Sequence, residues 1–110
     1  MKVTVIGLGY LGATHAVAMA ELGHQVIGIE ADPQKLAALQ AGKLPFYEPG
    51  LDKALTRVIE TGRITFQPGH SESSRTADAH FLCVGTPQVS GSYAADTSYL
   101  FSAIDALAPY

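Results

Sequence analysis

The sequence predicts an α/β protein with a doubly wound parallel sheet, of which about four strands are present. Short β-branched or apolar runs alternate along the chain with segments of helical periodicity. The first run leads directly into a glycine-rich turn that opens a helical segment. Because strands that alternate with helices form parallel sheets, and because their crossovers are right-handed, we expect the strand order 3-2-1-4.

The expected strands are short and consist mainly of β-branched and apolar residues. Such runs favour strands over helices because they end after a few residues at glycine, proline or a polar turn. The four predicted strands are residues 3–6, 25–29, 63–66 and 79–84.

The first helix follows the glycine-rich turn. Its apolar positions Leu11, Ala18 and Leu22 have helical spacing, and Gly23 ends it. We therefore expect these three residues to lie on the buried face of the helix. His15 is expected to be a packed structural residue of the same helix.

The middle helices have local start and stop signals. Asp32 precedes Pro33, so its carboxylate caps the open N–H groups of a helix that ends at Gly42. A third helix covers the apolar residues within 51–59. Residues 71–76 form either one helical turn or a loop.

The last part of the chain contains a loop and one more helix. Residues 88–95 have the composition of a loop. Asp96 or Thr97 caps the helix that follows, and Pro109 ends it. One face of this helix is expected to carry Leu100, Phe101, Ile104 and Leu107.

Composition and charge exclude several classes of protein. The chain has 110 residues, of which 47% are hydrophobic and 15% charged, so it is globular rather than disordered or a coiled coil. Its net charge of −3, without a basic block, gives no support for binding nucleic acid or an anionic membrane.

Cysteine content and the amino-terminal segment predict a cytoplasmic protein. The single cysteine, Cys83, cannot form an internal disulfide, which favours a reducing compartment. Glycines interrupt the apolar residues before Ala20, so this segment is not interpreted as a signal peptide. No stretch is apolar enough to cross a bilayer, and we expect no membrane partner.

Residues 7–12 have the pattern G-x-G-x-x-G. They follow a strand and open a helix within a βαβ unit of about 30 residues, as in a Rossmann-type dinucleotide fingerprint. Gly7 permits the tight turn, Gly9 lets a diphosphate approach the backbone, and Gly12 lets the helix pack on the strand. The alternative is a glycine-rich turn that binds nothing.

An acidic residue follows the second strand at the position that the fingerprint requires. Glu30 lies beyond the third glycine at close to the expected separation of about 20 residues. Its carboxylate can accept hydrogen bonds from both hydroxyls of an adenosine ribose. Because the carboxylate would repel a 2′-phosphate, the sequence predicts NAD rather than NADP. The alternative for Glu30 is a solvated acid, and Lys35 is either a surface lysine or a contact to ribose or phosphate.

Several segments together resemble one enzyme family. The segment 44–51, Leu-Pro-Phe-Tyr-Glu-Pro-Gly-Leu, is more specific than the glycine loop. In the order of the family, the chain resembles the UDP-glucose/GDP-mannose dehydrogenases at residues 5–12, 20–24, 44–51, 83–87 and 96–99.

This resemblance implies an activity and a set of cofactor contacts. The family oxidises the C6 alcohol of a sugar nucleotide to a carboxylate with two NAD per turnover, and residues matching Leu11, Glu30, Lys35 and Thr86 contact NAD. The family more often has Asp where this chain has Glu30. The complete set of cofactor-binding residues that we expect is Gly7, Gly9, Tyr10, Leu11, Gly12, Glu30, Lys35, Val84, Gly85 and Thr86.

The resemblance also implies that the chemistry lies outside this chain. The family's catalytic cysteine belongs to a later domain, and Cys83 is a small buried residue instead. Residues 1–110 are therefore expected to be a truncated NAD-binding domain without catalytic or metal-ligating residues. The central helix and the domain that binds most of the sugar nucleotide are expected to be absent, and the full-length protein to be a homo-oligomer.

Several alternatives stay open at this point. Within the family, the substrate could be UDP-glucose, GDP-mannose or UDP-N-acetylmannosamine. Outside it, 3-hydroxyacyl-CoA and 6-phosphogluconate dehydrogenases share this kind of amino-terminal half. A non-catalytic NAD-sensing regulatory domain is the remaining alternative. The segment 44–51 favours the sugar-nucleotide enzymes.

Overall fold

The structure, a computed structural model, describes residues 1–87, 89–92 and 94–110. Its elements, in chain order, are β1 (Lys2–Ile6), α1 (Tyr10–Glu21), β2 (Gln25–Ile29), α2 (Pro33–Gln40), α3 (Leu51–Glu60), β3 (Ile64–Gln67), α4 (Glu72–Arg75), β4 (Ala79–Leu82) and α5 (Ser98–Leu107).

The strands form one parallel sheet in the order β3-β2-β1-β4, which confirms the predicted topology. Ile6 at the end of β1 pairs with Ile29 of β2 and Leu82 of β4, and Ile29 pairs with Gln67 of β3. The carboxyl ends of all four strands therefore meet at one edge. In open α/β sheets this is the edge where ligands bind.

One face of the sheet is covered by α1, α2 and α3. Val3, Val5 and Val26 are fully or almost fully buried there, as are Leu39 of α2 and Leu55 of α3. Burial of these side chains stabilises the fold, and the stabilisation is proportional to the apolar area that is removed from water. This face holds the main core and fixes the position of the loop between β1 and α1.

The predicted buried face of α1 is wrong. Leu11, Ala18 and Leu22 are exposed, with Leu22 at 75%. The buried residues are instead small ones, Gly12, Ala13, Ala16, Val17 and Ala20. Small residues allow the helix axis to approach the sheet closely. This close packing determines which face of α1 is buried, and Leu11 and Leu22 stay exposed as a result.

The other face of the sheet has a smaller core that α5 covers. Ile6, Ile27 and Ile29 pack there with Ala103 of α5 and the partly buried Leu107. Phe101 and Ile104 of the predicted apolar face are exposed, and Ala103 is the buried residue of α5. The apolar stripe of the helix thus extends beyond the part that meets the sheet.

Helix α5 starts with a turn that the sequence predicts. The Asp96 carboxylate accepts a hydrogen bond from the Ser98 backbone N–H at 2.9 Å, and this bond lowers the pKa of Asp96. Thr97 makes no capping bond with its side chain. The expected loop at 88–95 includes Gln88 and Tyr93, which lie outside the described residues.

The other element boundaries agree with the sequence within a few residues. The Asp32 carboxylate caps α2 by accepting from the backbone N–H groups of Gln34 and Lys35, as predicted. The segment left open between a helical turn and a loop contains the single turn of α4. Strand β4 ends at Leu82, two residues earlier than expected.

His70 is partly enclosed by its neighbours. Its Nδ1 lies 2.9 Å from the Ser74 Oγ, and its ring lies 5.6 Å from the Tyr110 ring, centre to centre. Burial, and then the neighbouring charge of His80, lower the pKa of His70. His80 hydrogen-bonds Thr4, and His15 is packed as expected, with its ring edge-on to Phe81.

Among the described residues, no helix has both the length and the apolar character needed to cross a membrane.

Candidate dinucleotide-binding site

The loop between β1 and α1 is a tight turn that requires glycine at two positions. Gly7 has φ +89°, and its N–H donates to the Ile29 carbonyl at 2.9 Å. A Cβ at Gly7 would lie 2.9 Å from the Cys83 carbonyl oxygen, and one at Gly12 would lie only 1.8 Å from the Gly7 carbonyl oxygen. These two glycines let strand, turn and helix pack against one another without space between them.

The middle of the same loop is open. A Cβ at Gly9 would meet no atom within 4 Å, so a ligand can approach the backbone there. Gly9 is the N-cap of α1, and no side chain caps the helix. The first turn also lacks acidic residues, so the positive end of the helix dipole is not neutralised. This is the arrangement that binds phosphate oxygens through backbone N–H groups.

Glu30 joins the end of β2 to this loop. Its Oε1 accepts from the Leu8 N–H at 3.1 Å, and its Oε2 accepts from the Asp32 N–H at 3.0 Å. The backbone N–H of Glu30 donates to the Gln67 carbonyl of β3 at 3.0 Å. The half-buried carboxylate therefore lies at the mouth of the glycine loop, fixed by two backbone donors.

The segment after β4 borders the loop from the other side. The Cys83 N–H donates to the Ile6 carbonyl at 2.7 Å, so the chain continues alongside β1 beyond the strand. Val84 packs into the smaller core, whereas Gly85 and Thr86 are exposed beyond it. The structure thus brings residues 84–86 to the same edge of the sheet as the glycine loop and Glu30.

Cys83 is not arranged as a nucleophile. Burial raises the pKa of its thiol, which keeps the sulfur protonated at neutral pH. It packs against the main core close to Gly12, where a Cβ would come within 3.2 Å of the Cys83 Cβ. Its position supports a packing role.

Lys35 approaches the other predicted site residues through its backbone, which donates to the Asp32 carboxylate. It lies exposed on the first turn of α2. Within the part of the chain that the structure describes, its ammonium makes no ion pair or hydrogen bond with the glycine loop. The structure therefore brings the other predicted site residues to one edge of the sheet and places Lys35 beside Asp32, whose N–H donates to Glu30.

Sequence reasoning missed one contact at the site. The Tyr10 hydroxyl, on the first residue of α1, donates to the Glu48 Oε2 at 2.9 Å. The Tyr10 ring also lies 5.0 Å from the Phe46 ring, centre to centre. Both partners belong to the segment 44–51, so the most distinctive part of the sequence lies against the glycine loop.

Comparison with known proteins identifies the family. The NAD-binding domain of the UDP-glucose/GDP-mannose dehydrogenase family matches residues 1–110. The chain belongs to this family. NAD is accordingly its cofactor, and the uncapped helix and open backbone at Gly9 fit a dinucleotide diphosphate.

Members of the family are similar to this chain in sequence and in fold. UDP-glucose 6-dehydrogenase of Rhizobium meliloti is 38% identical over 103 residues, which are 94% of this chain and 24% of that protein. The structure of a UDP-glucose dehydrogenase from Pyrobaculum islandicum is similar with a TM-score of 0.88 and 42% identity, covering 96% of this chain and 24% of that one.

A further relative has a different sugar nucleotide in its name. A ternary complex of GDP-mannose dehydrogenase from Pseudomonas aeruginosa has a TM-score of 0.91 and 32% identity, and the match covers 97% of this chain and 24% of that one. The chain thus spans about a quarter of the length of the family members that it matches.

Proposed function

We propose that this chain is the NAD-binding part of a UDP-glucose 6-dehydrogenase. The whole enzyme would oxidise the C6 alcohol of UDP-glucose to the carboxylate of UDP-glucuronate, with two NAD reduced per turnover. Relatives named UDP-glucose 6-dehydrogenase at 38% and 40% identity support this substrate. GDP-mannose and UDP-N-acetylmannosamine are the alternatives, because proteins with these names match the chain as well.

One observation carries the cofactor part of the proposal, the position of the Glu30 carboxylate at the glycine loop. A ribose whose diphosphate rests on the first turn of α1 places its hydroxyls close to this carboxylate. Glu30 would accept from the 2′- and 3′-hydroxyls, and these donors would replace or supplement the backbone N–H groups of Leu8 and Asp32. A 2′-phosphate there would meet like charge, so NADPH should be disfavoured.

The other residues of the site would hold the rest of the dinucleotide. Backbone N–H groups of Tyr10 and Leu11 would donate to the diphosphate above Gly9. Residues 84–86 would flank the nicotinamide half, with the Thr86 hydroxyl bonding a ribose or phosphate oxygen. Lys35 would reach the adenosine ribose by extending its flexible side chain from α2.

The proposal is tested by titrating the chain with NADH and NADPH and following cofactor fluorescence. We expect NADH to bind, and NADPH to bind at least about tenfold more weakly because of the charge of Glu30. Substitution Glu30→Gln should weaken NADH binding and reduce this preference to about threefold or less. Glu60→Gln, which removes an exposed acid of α3, is the matched control and should change neither affinity.

Two results would contradict the proposal. Equal affinities of the unsubstituted chain for NADH and NADPH would show that Glu30 does not read the ribose. If the Glu30→Gln variant prefers NADH over NADPH as strongly as the unsubstituted chain does, another residue must discriminate between the two cofactors.

A further inference from the structure

We propose that Glu48 is a positioning residue for NAD, which acts by holding Tyr10 at the amino end of α1. This inference rests on the dinucleotide site proposed above. It gives a role to the segment 44–50, which packs beside the glycine loop although it belongs to the connection between α2 and α3.

Two contacts hold Tyr10 from the same side. Its hydroxyl donates to the Glu48 Oε2 at 2.9 Å, and its ring packs on Phe46 with a tilt of 59°. Because the acceptor is a carboxylate, this hydrogen bond is stronger than one between neutral groups. The same interaction raises the pKa of the Tyr10 phenol, so the donor proton is retained throughout the physiological range.

The connection itself is anchored at both ends. Leu44 and Phe46 pack against the main core. Beyond Glu48, the Leu51 N–H donates to the Glu48 carbonyl at 3.1 Å, and Gly50 turns the chain into α3 with φ +80°. Packing and this turn thus fix the backbone at Glu48, and the bond between its carboxylate and the Tyr10 hydroxyl ties the first residue of α1 to this segment.

Tyr10 is placed where such rigidity would matter for a ligand. It directly follows Gly9, where the backbone is open, and its carbonyl accepts from the Thr14 hydroxyl at 2.6 Å. Its side chain remains 56% exposed, so part of the ring stays accessible beside the diphosphate position. A ring held in one rotamer keeps this space clear and lowers the ordering cost of binding.

The test is a double-mutant cycle on NADH affinity. Tyr10→Phe removes the hydroxyl but keeps the ring on Phe46, and Glu48→Ala removes the acceptor. We expect each to weaken NADH binding about three- to tenfold, and the double variant to bind no more weakly than either single variant. Glu48→Gln retains an acceptor oxygen and should restore affinity to within about twofold of the unsubstituted chain.

A matched control and an independent readout separate positioning from general destabilisation. Tyr47→Phe removes the hydroxyl of a neighbouring tyrosine that is 88% exposed, and should leave NADH affinity unchanged. In the ligand-free chain, Glu48→Ala should shift the backbone amide NMR signals of Gly9 and Leu11. Signals from α5, which packs on the smaller core at the other face of the sheet, should stay in place.

The outcomes distinguish this inference from the proposed function. Unchanged NADH affinity in both single variants, with normal binding by the unsubstituted chain, would overturn the role of Glu48 and leave the dinucleotide site intact. Additive losses in the double variant would also overturn it, because the two side chains would then act independently. Absence of NADH binding by the unsubstituted chain would overturn the site itself and this inference with it.

Discussion

The shape of the glycine loop depends on the absence of a Cβ at Gly7 and Gly12. A Cβ at Gly12 would lie 1.8 Å from the Gly7 carbonyl oxygen, and this backbone atom has no rotamer through which to move away. Gly7 is limited both by its positive φ and by the Cys83 carbonyl. At these residues the proposed cofactor site and the packing of the fold depend on the same atoms.

Substitution Gly12→Ala should therefore damage both properties. We expect a loss of about 2 kcal/mol or more in the free energy of unfolding, because the helix must move away from the turn. NADH binding should fall below detection. Urea denaturation and NADH titration measure the two effects.

Gly69→Ala is the control for this substitution. A Cβ at Gly69 meets no atom within 4 Å, and its φ is not positive, so stability should change by less than about 0.5 kcal/mol. A Gly12→Ala variant as stable as the Gly69→Ala variant would contradict the packing account.

The amino ends of α1 and α2 show two different solutions to the same problem. Both helices begin just after a strand of the sheet, with N–H groups that have no partner within the helix. The Asp32 carboxylate satisfies those of α2, whereas α1 has no side-chain cap. The element with the cap is structural, and the element without one is available to a ligand.

Removal of the cap in Asp32→Ala should lower stability without unfolding the chain. An N-cap contributes about 1 kcal/mol, which corresponds to a fall of roughly 4–8 °C in Tm for a domain of this size. Thermal unfolding followed by circular dichroism measures the shift. Asp105→Ala, on the exposed side of α5, should move Tm by less than about 2 °C, and equal shifts in the two variants would refute the capping role.

At the scale of the whole molecule, parallel strands bring distant segments to one edge of the sheet. The glycine loop, Glu30 and residues 84–86 meet there because Ile6 pairs with both Ile29 and Leu82. The chain spans about a quarter of the length of its relatives. Its own thiol, Cys83, is held protonated by burial.

We therefore expect the 110-residue chain to bind NADH but not to oxidise a sugar nucleotide. The measurement is the absorbance of NADH at 340 nm after incubation with NAD and UDP-glucose, with GDP-mannose as a second substrate. Sustained NADH formation by the purified chain would show that the catalytic groups lie within these residues, contrary to the proposal.

Features with local signals were predictable from the sequence. Strand β2 was predicted with its observed ends because its β-branched residues lie between glycine and acidic residues. The Asp32 cap needs only its two neighbours in the sequence. The approach of Gly12 to Gly7 follows from the glycine spacing itself.

Features that depend on packing between distant segments were not predictable. Helix α1 is apolar on several sides, so periodicity did not show that alanines, rather than Leu11 and Leu22, meet the sheet. The Tyr10–Glu48 contact joins exposed side chains 38 positions apart, and no local pattern reports it. The distinctive composition of the segment 44–51 was the one sequence signal that indicated a functional role for it.

The two hydrogen bonds of the Glu30 carboxylate have a kinetic consequence. They tie the turn after β1 to the turn after β2 before any cofactor arrives, so the conformational entropy of both turns is lost during folding rather than at association. In the site proposed above, oxidised and reduced dinucleotide would exchange through their hydroxyl donors to this one carboxylate, and the loop would not have to refold. For the whole enzyme proposed above, which would use two NAD per turnover, such a preformed site would favour rapid exchange of one cofactor for the next.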